Sequence, residues 1–352
     1  MDYRKEIQDL VDLILKEGAS DLHMSTDRVP IIRVNGALIP LLKKPVLTDA
    51  MMKGFLGIFL PPGGKEILER DKSADFSYAL TQARFRGNVY YRQGLLSIAL
   101  RLIPKVIRTL SELNLPPIIE TFTRKPQGFF LVVGPVGQGK TTTLATMIEI
   151  INQTRAEHIM TIEDPIEYQF ESKRSIIDQR EVRIDTPDFP DALVAMFRED
   201  INVCMVGEMR DAKTIGTAVT AAETGHLIFS TLHTNDAAQT INRIIDSFPA
   251  DQQDQIRIQL AASLTGIFSQ RLIPRISGGL IPAYELLINN NAVSNLIREK
   301  RIHEINSVIE TGSQDGMIDF NRSLAELVRA GEISVESAYL ASQNPKTLEK
   351  MI

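Results

Sequence analysis

The sequence predicts an α/β protein: a small α+β domain, then a core of alternating strands and helices, then a helical C-terminal region. Three observations carry this. Between Gly128 and Pro274 the β-rich runs "FFLVVG", "HIMTIED", "VCMVGE" and "HLIFSTLH" alternate with helical patterns, which implies a parallel sheet covered by helices. The run "FFLVV" (Phe129 to Val133) leads into "GPVGQGKTTT", so strand, glycine-rich loop and helix arrive in that order. Before this core, short alternating runs mix with helical ones, and after Pro274 helical spacing dominates.

Taken in order, residues 1–105 form one domain. It opens with the amphipathic "MDYRKEIQDLVDLILKEG" and passes through strand-like "IIRVNGALIPL" and "ARFRGNVYYRQGLLSIALRLI", with a turn and helix at "LPPGGKEILERD". Residues 106–127 are polar and proline-punctuated, and read as a linker with a short helix. Residues 128–274 are the core, and residues 275–352 the helical region, from "AVSNLIREKRIHEINSVIETG" to "FNRSLAELVRAGEISVESAYLAS".

Composition narrows the function. The 352 residues are 43% hydrophobic and 24% charged, which is ordinary for a globular protein. A net charge of -5 advertises no nucleic-acid partner, so a DNA translocase loses weight. The single cysteine, Cys204, permits no disulfide within the chain and suits a reducing compartment. The charged N-terminus does not resemble a signal peptide, and no apolar run has the length of a membrane span. A cytosolic protein is expected, free to dock on a membrane complex.

The loop fills the pattern G-x-x-x-x-G-K-[ST] with Gly134, Gly139, Lys140 and Thr141. Its glycines, Gly137 among them, let successive N–H groups from Gln138 to Thr142 line one concavity for phosphate oxygens. Lys140 adds positive charge, and the Thr141 hydroxyl can complete the shell of a magnesium ion. The following helix turns its positive end toward the phosphates. Nucleotide phosphate binding follows.

The other strands end in groups suited to hydrolysis, which needs a positioned water, a metal and positive charge over the phosphates. Glu208, after "VCMVG", is the candidate to orient and deprotonate the water. Glu163 is the candidate for a second carboxylate at the metal, with Asp164 structural. His233 can donate to the γ-phosphate and report its presence, while His226 at the start of its strand reads as structural. A zinc site would need more ligands than these histidines and one distant cysteine provide.

With these elements in order, the chain resembles the secretion-superfamily hexameric ATPases of the type IV pilus retraction group, the PilT-type motors. The resemblance covers roughly residues 15–335 through "GASDLH", "RFR", the phosphate loop, "TIEDPIE", "QREV", "RED", "VGEMRD", "TAAETGH" and "STLHTNDA". It implies a PAS-like N-terminal domain and a RecA-like P-loop ATPase core working on ATP and Mg2+ in a homohexamer. It implies Lys140 and Thr141 on phosphates and magnesium, Glu208 as base, Glu163 as the acidic box and His233 on the γ-phosphate. It also implies trans-acting arginines at Arg86 and Arg101, and a further arginine near the subunit interface at Arg198. The implied setting is the inner-membrane pilus base, with a platform protein and a possible paralogous ATPase as partners.

The chain departs from the family at several positions. Val136, Gln138 and Thr141 replace the usual Thr, Ser and Ser. Gly87 and Gly216 stand where larger residues are usual and are expected to loosen local structure. "AVSNLIRE" (Ala292 to Glu299) differs from the retraction motors' AIRNLIRE at Val293 and Ser294, so main motor and accessory paralogue both stay open. Its spacing puts Ala292 and Leu296, with Val293 beside them, on a buried face and leaves Arg298 and Glu299 at a rim. Pilus extension and type II secretion motors usually carry a longer N-terminal region and a four-cysteine zinc insertion, neither of which is present in this sequence. A nucleic-acid translocase and a non-hydrolysing scaffold are the other readings, opposed by the acidic balance and by Glu208.

Overall fold

The computed structural model describes residues 2–34, 36–61, 63–80, 82–103 and 106–352. The chain divides into two compact units, Met1–Val106 with Glu167–Gln169, and Ile107–Ile166 with Phe170–Ile352. The domain boundary expected after residue 105 abuts Pro104 and Lys105, which lie outside the described residues.

In the first unit, α1 (Tyr3–Glu17) begins where the Asp2 carboxylate accepts the N–H groups of Arg4 and Lys5. Its Ile7, Leu10, Val11 and Ile14 recur at helical spacing and are buried. There follow β1 (Asp21–Ser25), β2 (Ile31–Val34), β3 (Ala37–Pro40), α2 (Asp49–Phe59), α3 (Gly64–Asp71), β4 (Ser73–Ala79), β5 (Arg84–Arg92) and β6 (Leu95–Ile103). These strands form an antiparallel sheet in the order β3-β2-β1-β6-β5-β4. α2 is absent from the sequence reading because Gly54 and Gly57 dilute its helical signal. Gly87 does not loosen the sheet, contrary to expectation: a Cβ there would lie 2.1 Å from the Phe76 ring, which fills the space. Phe76 in turn stacks on Phe59, with centroids 5.4 Å apart.

The second unit opens with a 3₁₀ turn (Pro117–Ile119) and α4 (Glu120–Thr123). The stretch expected to be a linker is packed into this unit: Leu115, Ile119 and Phe122 are buried, and Phe122 lies 4.4 Å from Phe130. Then come β7 (Gly128–Val133), α5 (Lys140–Thr154), β8 (His158–Glu163), β9 (Ile176–Glu181), α6 (Phe189–Met196), β10 (Val203–Val206), α7 (Ala212–Glu223) and β11 (Leu227–Leu232). After these stand α8 (Ala237–Asp246), α9 (Gln253–Ser263), β12 (Leu264–Pro274), β13 (Leu280–Ile288) and α10 (Asn291–Arg298). Short helices close the chain: α11 (Ile305–Thr311), α12 (Phe320–Arg329), α13 (Val335–Ala341) and α14 (Pro345–Glu349).

The sheet order is β13-β12-β7-β11-β10-β8-β9, parallel throughout except for β13. Every residue of β7, β10 and β11 is buried, as a sheet covered on both faces requires. The four strands read from the sequence are β7, β8, β10 and β11. β9, β12 and β13 add to them. β9 is an edge strand whose "IIDQRE" is too polar to read as buried, and the edge position of β13 accommodates Pro282. The region after Pro274 is therefore not helical from its start. In α10, Val293, Leu296 and Ile297 are buried and Ala292 is exposed, so the buried face is turned from the one expected, while Arg298 and Glu299 do stand at the exposed rim.

β13 also places a carboxyl in the core. Glu285 accepts the Ala237 N–H at 2.8 Å, at the start of α8. Burial pushes its pKa up to about 7, with Asp236 and Asp319 adding to the effect against the Ala237 hydrogen bond. This lies above its ordinary value of 4.5, so between the two the folded chain holds a proton the unfolded chain releases, and stability falls as pH rises through that window. Glu285→Gln keeps the acceptor and removes the titration. It should raise the melting temperature at about pH 8 and change it little at about pH 5, and an equal shift at both would show that this carboxyl does not titrate in the fold.

Candidate active site

Because β7, β8, β10 and β11 are parallel and in register, their carboxyl ends share one edge. Val133 pairs with Leu232, Val206 with Ser230, and Val206 with Ile162. Gly134, Glu163, Glu208 and His233 each follow or end one of these strands, at the edge where such sheets bind ligands.

The loop after β7 turns through Gly134 (φ 144), Gly137 (φ 79) and Gly139 (φ 79) into α5. No side chain caps α5, so its first N–H groups remain available to an anion. Lys140, only 7% exposed, donates to the carbonyls of Gly134 at 2.9 Å and Pro135 at 2.8 Å, and lies 3.2 Å from His233 Nδ1. The ammonium can donate to Nδ1, and the ring also hydrogen-bonds the Gly134 backbone, a contact that favours its protonated form. Nε2 faces Glu208 Oε2 at 3.8 Å, and Arg210 closes on Glu208 Oε1. Burial, and then the charge of Lys140, hold the His233 pKa below its ordinary value against the pull of Glu208. His233 is thus neutral at neutral pH and keeps one donor for a phosphate oxygen.

Two carboxylates stand beside this chain of contacts. Glu163, 2% exposed, accepts from Thr161 Oγ1 at 2.7 Å and from Gln179 Nε2 at 3.3 Å. Asp164 is bridged to Arg183 at 2.9 Å. Glu208 leaves β10 through Gly207, whose carbonyl accepts from Thr231 Oγ1 at 2.7 Å, while Ser230 Oγ donates to Val206 at 2.7 Å. Two buried hydroxyls of β11 thereby hold the turn that carries the acid.

The remaining predicted residues lie elsewhere. Arg198 is exposed past the end of α6, and Arg180, of "QREV", bridges its neighbour Glu199 at 3.2 Å. Arg86 and Arg101 belong to the first unit, directly opposite each other on β5 and β6. Arg101 donates to Asp21, the aspartate of "ASDLH", at 2.9 Å. Burial opposes ionisation of Asp21, but hydrogen bonds from Ser20 and Arg101 outweigh it and hold the carboxyl below its ordinary pKa. Sequence reasoning missed Arg210, Thr161, Gln179, Ser230 and Thr231. The first sat in plain view in "GEMRD"; the others act through strand register that no local pattern reveals.

A parallel sheet with a phosphate loop, an adjacent glutamate and a neutral histidine on one edge defines a P-loop ATPase. The sequence profile of the type II/IV secretion system protein family matches residues 93–331. The chain is 40% identical over 342 residues to the type IV pilus retraction ATPase PilT of Pseudomonas aeruginosa, covering 97% of this chain and 99% of that protein. It is 43% identical over 321 residues to the twitching motility protein of Neisseria gonorrhoeae, covering 91% and 86%. The crystal structure of the pilus retraction motor PilT with bound ADP superposes with a TM-score of 0.91 at 44% identity, over 97% of this chain and 98% of that one. By contrast, a match to the type IV pilus assembly ATPase PilB of Thermus thermophilus, 32% identical, spans 31% of that longer protein. The chain belongs to the type II/IV secretion system protein family, in its branch of pilus retraction ATPases.

Glu208→Gln tests the assignment of the base. The amide is nearly isosteric with the carboxylate but cannot take a proton from water. The variant should bind ATP and lose at least about a hundredfold in turnover. Near-parental turnover in a phosphate-release assay would move the role to another acid.

Proposed function

We propose that this chain is a hexameric, ATP-driven motor that retracts type IV pili, and so powers twitching motility, from the cytoplasmic side of an inner-membrane pilus base. What carries the reading is the match to retraction motors over nearly the whole chain, with Lys140, His233 and Glu208 assembled at one edge of the sheet. A pilus-platform protein would receive the force. No helix among the described residues is long and apolar enough to cross a membrane, so attachment would be by contact with such a partner.

The residues fit ATP with magnesium. Magnesium is held by one or two protein oxygens together with phosphates and water, and Thr141 with Glu163 supply such a set. When bound, it would neutralise charge developing on the phosphates. On ATP binding, Lys140 exchanges the Gly134 and Pro135 carbonyls for phosphate oxygens. This frees the His233 ring, whose N–H can then turn to the γ-phosphate. Glu208 takes the proton of the attacking water as the new P–O bond forms and ADP leaves. Arg86 and Arg101 of a neighbouring protomer would cover the developing charge, with Arg198 near the protomer interface.

A trans role for the arginines has a direct test. Arg101→Ala and Glu208→Gln chains should each be nearly inactive alone. Mixed, they should regain part of the activity, because some interfaces then pair an intact arginine with an intact base. An arginine finger is worth about 10³–10⁵ in rate in related chemistry, so the rescue is readable. Failure to rescue in rings shown to be mixed would make the arginine's action local or absent.

A second test separates hydrolysis from mechanical output. Arg298 lines a polar cavity of about 540 Å³ with Gly128 and Thr265, near the amino end of β7 and so far from the phosphate loop. Replacing both Arg298 and Glu299 by alanine opens no core cavity, since both are exposed. The expected result is ATPase activity within about threefold of the parent, as for surface changes, with pilus retraction lost in cells. Unchanged twitching would show that this exposed rim does not couple hydrolysis to retraction. Absent rather than immobile, surplus pili in a deletion strain would favour the extension reading.

A further inference from the structure

We infer that Gln270 of β12 is a positioning residue for ATP hydrolysis, and that with Gln138 it forms an interlock that aims the phosphate loop. The inference rests on reading that loop as the phosphate cradle. Gln270 is 2% exposed and uses both ends of its amide. Nε2 donates to the Gln138 carbonyl at 2.5 Å, and Oε1 accepts from Thr143 Oγ1, in the first turn of α5, at 2.7 Å. Gln138 answers in kind, its own Oε1 accepting the Leu272 N–H at 2.6 Å. Two glutamines, 132 residues apart, thus each bond the other's strand or loop.

The consequence for the loop follows from peptide geometry. In a trans peptide the carbonyl and the next N–H point in opposite directions. Tying the Gln138 carbonyl to β12 therefore turns the Gly139 N–H away from β12, toward the concave side that receives phosphate. Close approach makes the tie possible: a Cβ on Gly134 would lie 2.3 Å from the Gln270 carbonyl, so the glycine lets β12 abut the loop. A serine, the usual residue at position 138, is shorter by two heavy atoms and lacks the amide oxygen that accepts from Leu272. The interlock is a feature of this chain's own Gln138.

A residue that merely supports folding would weaken every ligand equally or none. One that aims loop N–H groups acts only through phosphates. Gln270→Glu keeps the shape and the acceptor for Thr143 but replaces the donor to Gln138 with an anion. Binding of adenosine, ADP and ATP to the assembled protein should be measured by calorimetry for the parent, Gln270→Glu, Gln138→Ala and Lys140→Ala. Gln138→Ala changes a partly exposed loop side chain and so tests the interlock even if the buried substitution impairs folding.

The expected loss for Gln270→Glu is about tenfold or more for ADP and ATP with adenosine little changed, and about threefold for Gln138→Ala, the scale of one or two buried hydrogen bonds. Parental ADP and ATP affinity in both glutamine variants, with Lys140→Ala weakened, would overturn the interlock and leave the cradle standing. Equal loss for adenosine and ATP would make Gln270 structural. Undiminished ATP binding in Lys140→Ala would overturn the cradle reading and the interlock with it.

Discussion

A buried ammonium group is the constraint around which the core is arranged. Lys140 brings three donors and no acceptor into a nearly buried position, where an unpaired charge would cost several kcal/mol, on the order of the penalties seen for buried unpaired ions. The tight turn after β7 supplies two carbonyls, Gly134 and Pro135, and the end of β11 supplies the Nδ1 of His233. Those acceptors exist only because β7 and β11 run parallel and in register to Val133 and Leu232. Burial first, and then the same ammonium, hold the histidine's pKa below its ordinary value, while Glu208 faces its other nitrogen. A phosphate that competes for Lys140 therefore acts on several groups at once, and binding and catalytic readiness share one contact.

β12 extends this arrangement toward the end of the chain. Alternate residues of a strand face opposite sides. Gln270 bonds the phosphate loop, whereas Arg271 donates to the Ala341 carbonyl at 3.0 Å and lies 5.0 Å from the Phe320 ring, binding α13 and α12. On β13, Glu285 meets the start of α8 at Ala237, the last residue of the "TNDA" that follows His233. The two strands pair along nearly their full length, from Gly266 with Ile288 to Pro274 with Leu280. One hairpin thus touches the phosphate loop, the segment after His233 and the terminal helices. The phosphate loop and the C-terminal helices therefore share one hairpin as a packing partner.

The sequence made some of this legible and hid the rest for identifiable reasons. Four strands of the core announced themselves because burial on both faces makes them unbroken apolar runs ending in a chemical group. The phosphate loop was visible because its residues are adjacent in the chain. Gln270 was not, since its meaning comes from Thr143, 127 positions away. Thr161 and Gln179 hold Glu163 across a strand pair in the same hidden manner. Leu280–Ile288 was lost inside a stretch of helical spacing, and Ala292 was placed on the wrong face because its small apolar side chain carries little directional information. Gly87 was misread as slack because sequence does not show that Phe76 occupies the missing side chain's volume.

The first unit poses a separate electrostatic problem with the same kind of answer. Strand register puts Arg33, Asp21, Arg101, Arg86 and Ser77 in one row across β2, β1, β6, β5 and β4. Like charges directly opposite on neighbouring strands destabilise a sheet by about 0.2–1 kcal/mol. Asp21 offsets part of this, bonding Arg101 at 2.9 Å and approaching Arg33 at 3.8 Å, but one carboxylate among three guanidiniums leaves the row net positive. Arg101 stays 71% exposed even while bonded, so its free face remains open to a further anion. In a chain whose net charge is -5, a row of this sign is a local choice maintained against a small cost. A triphosphate presented by a neighbouring protomer would convert that cost into attraction. "ASDLH" and "RFR", far apart in the chain, then describe one device: an aspartate that holds an arginine in place without quenching it.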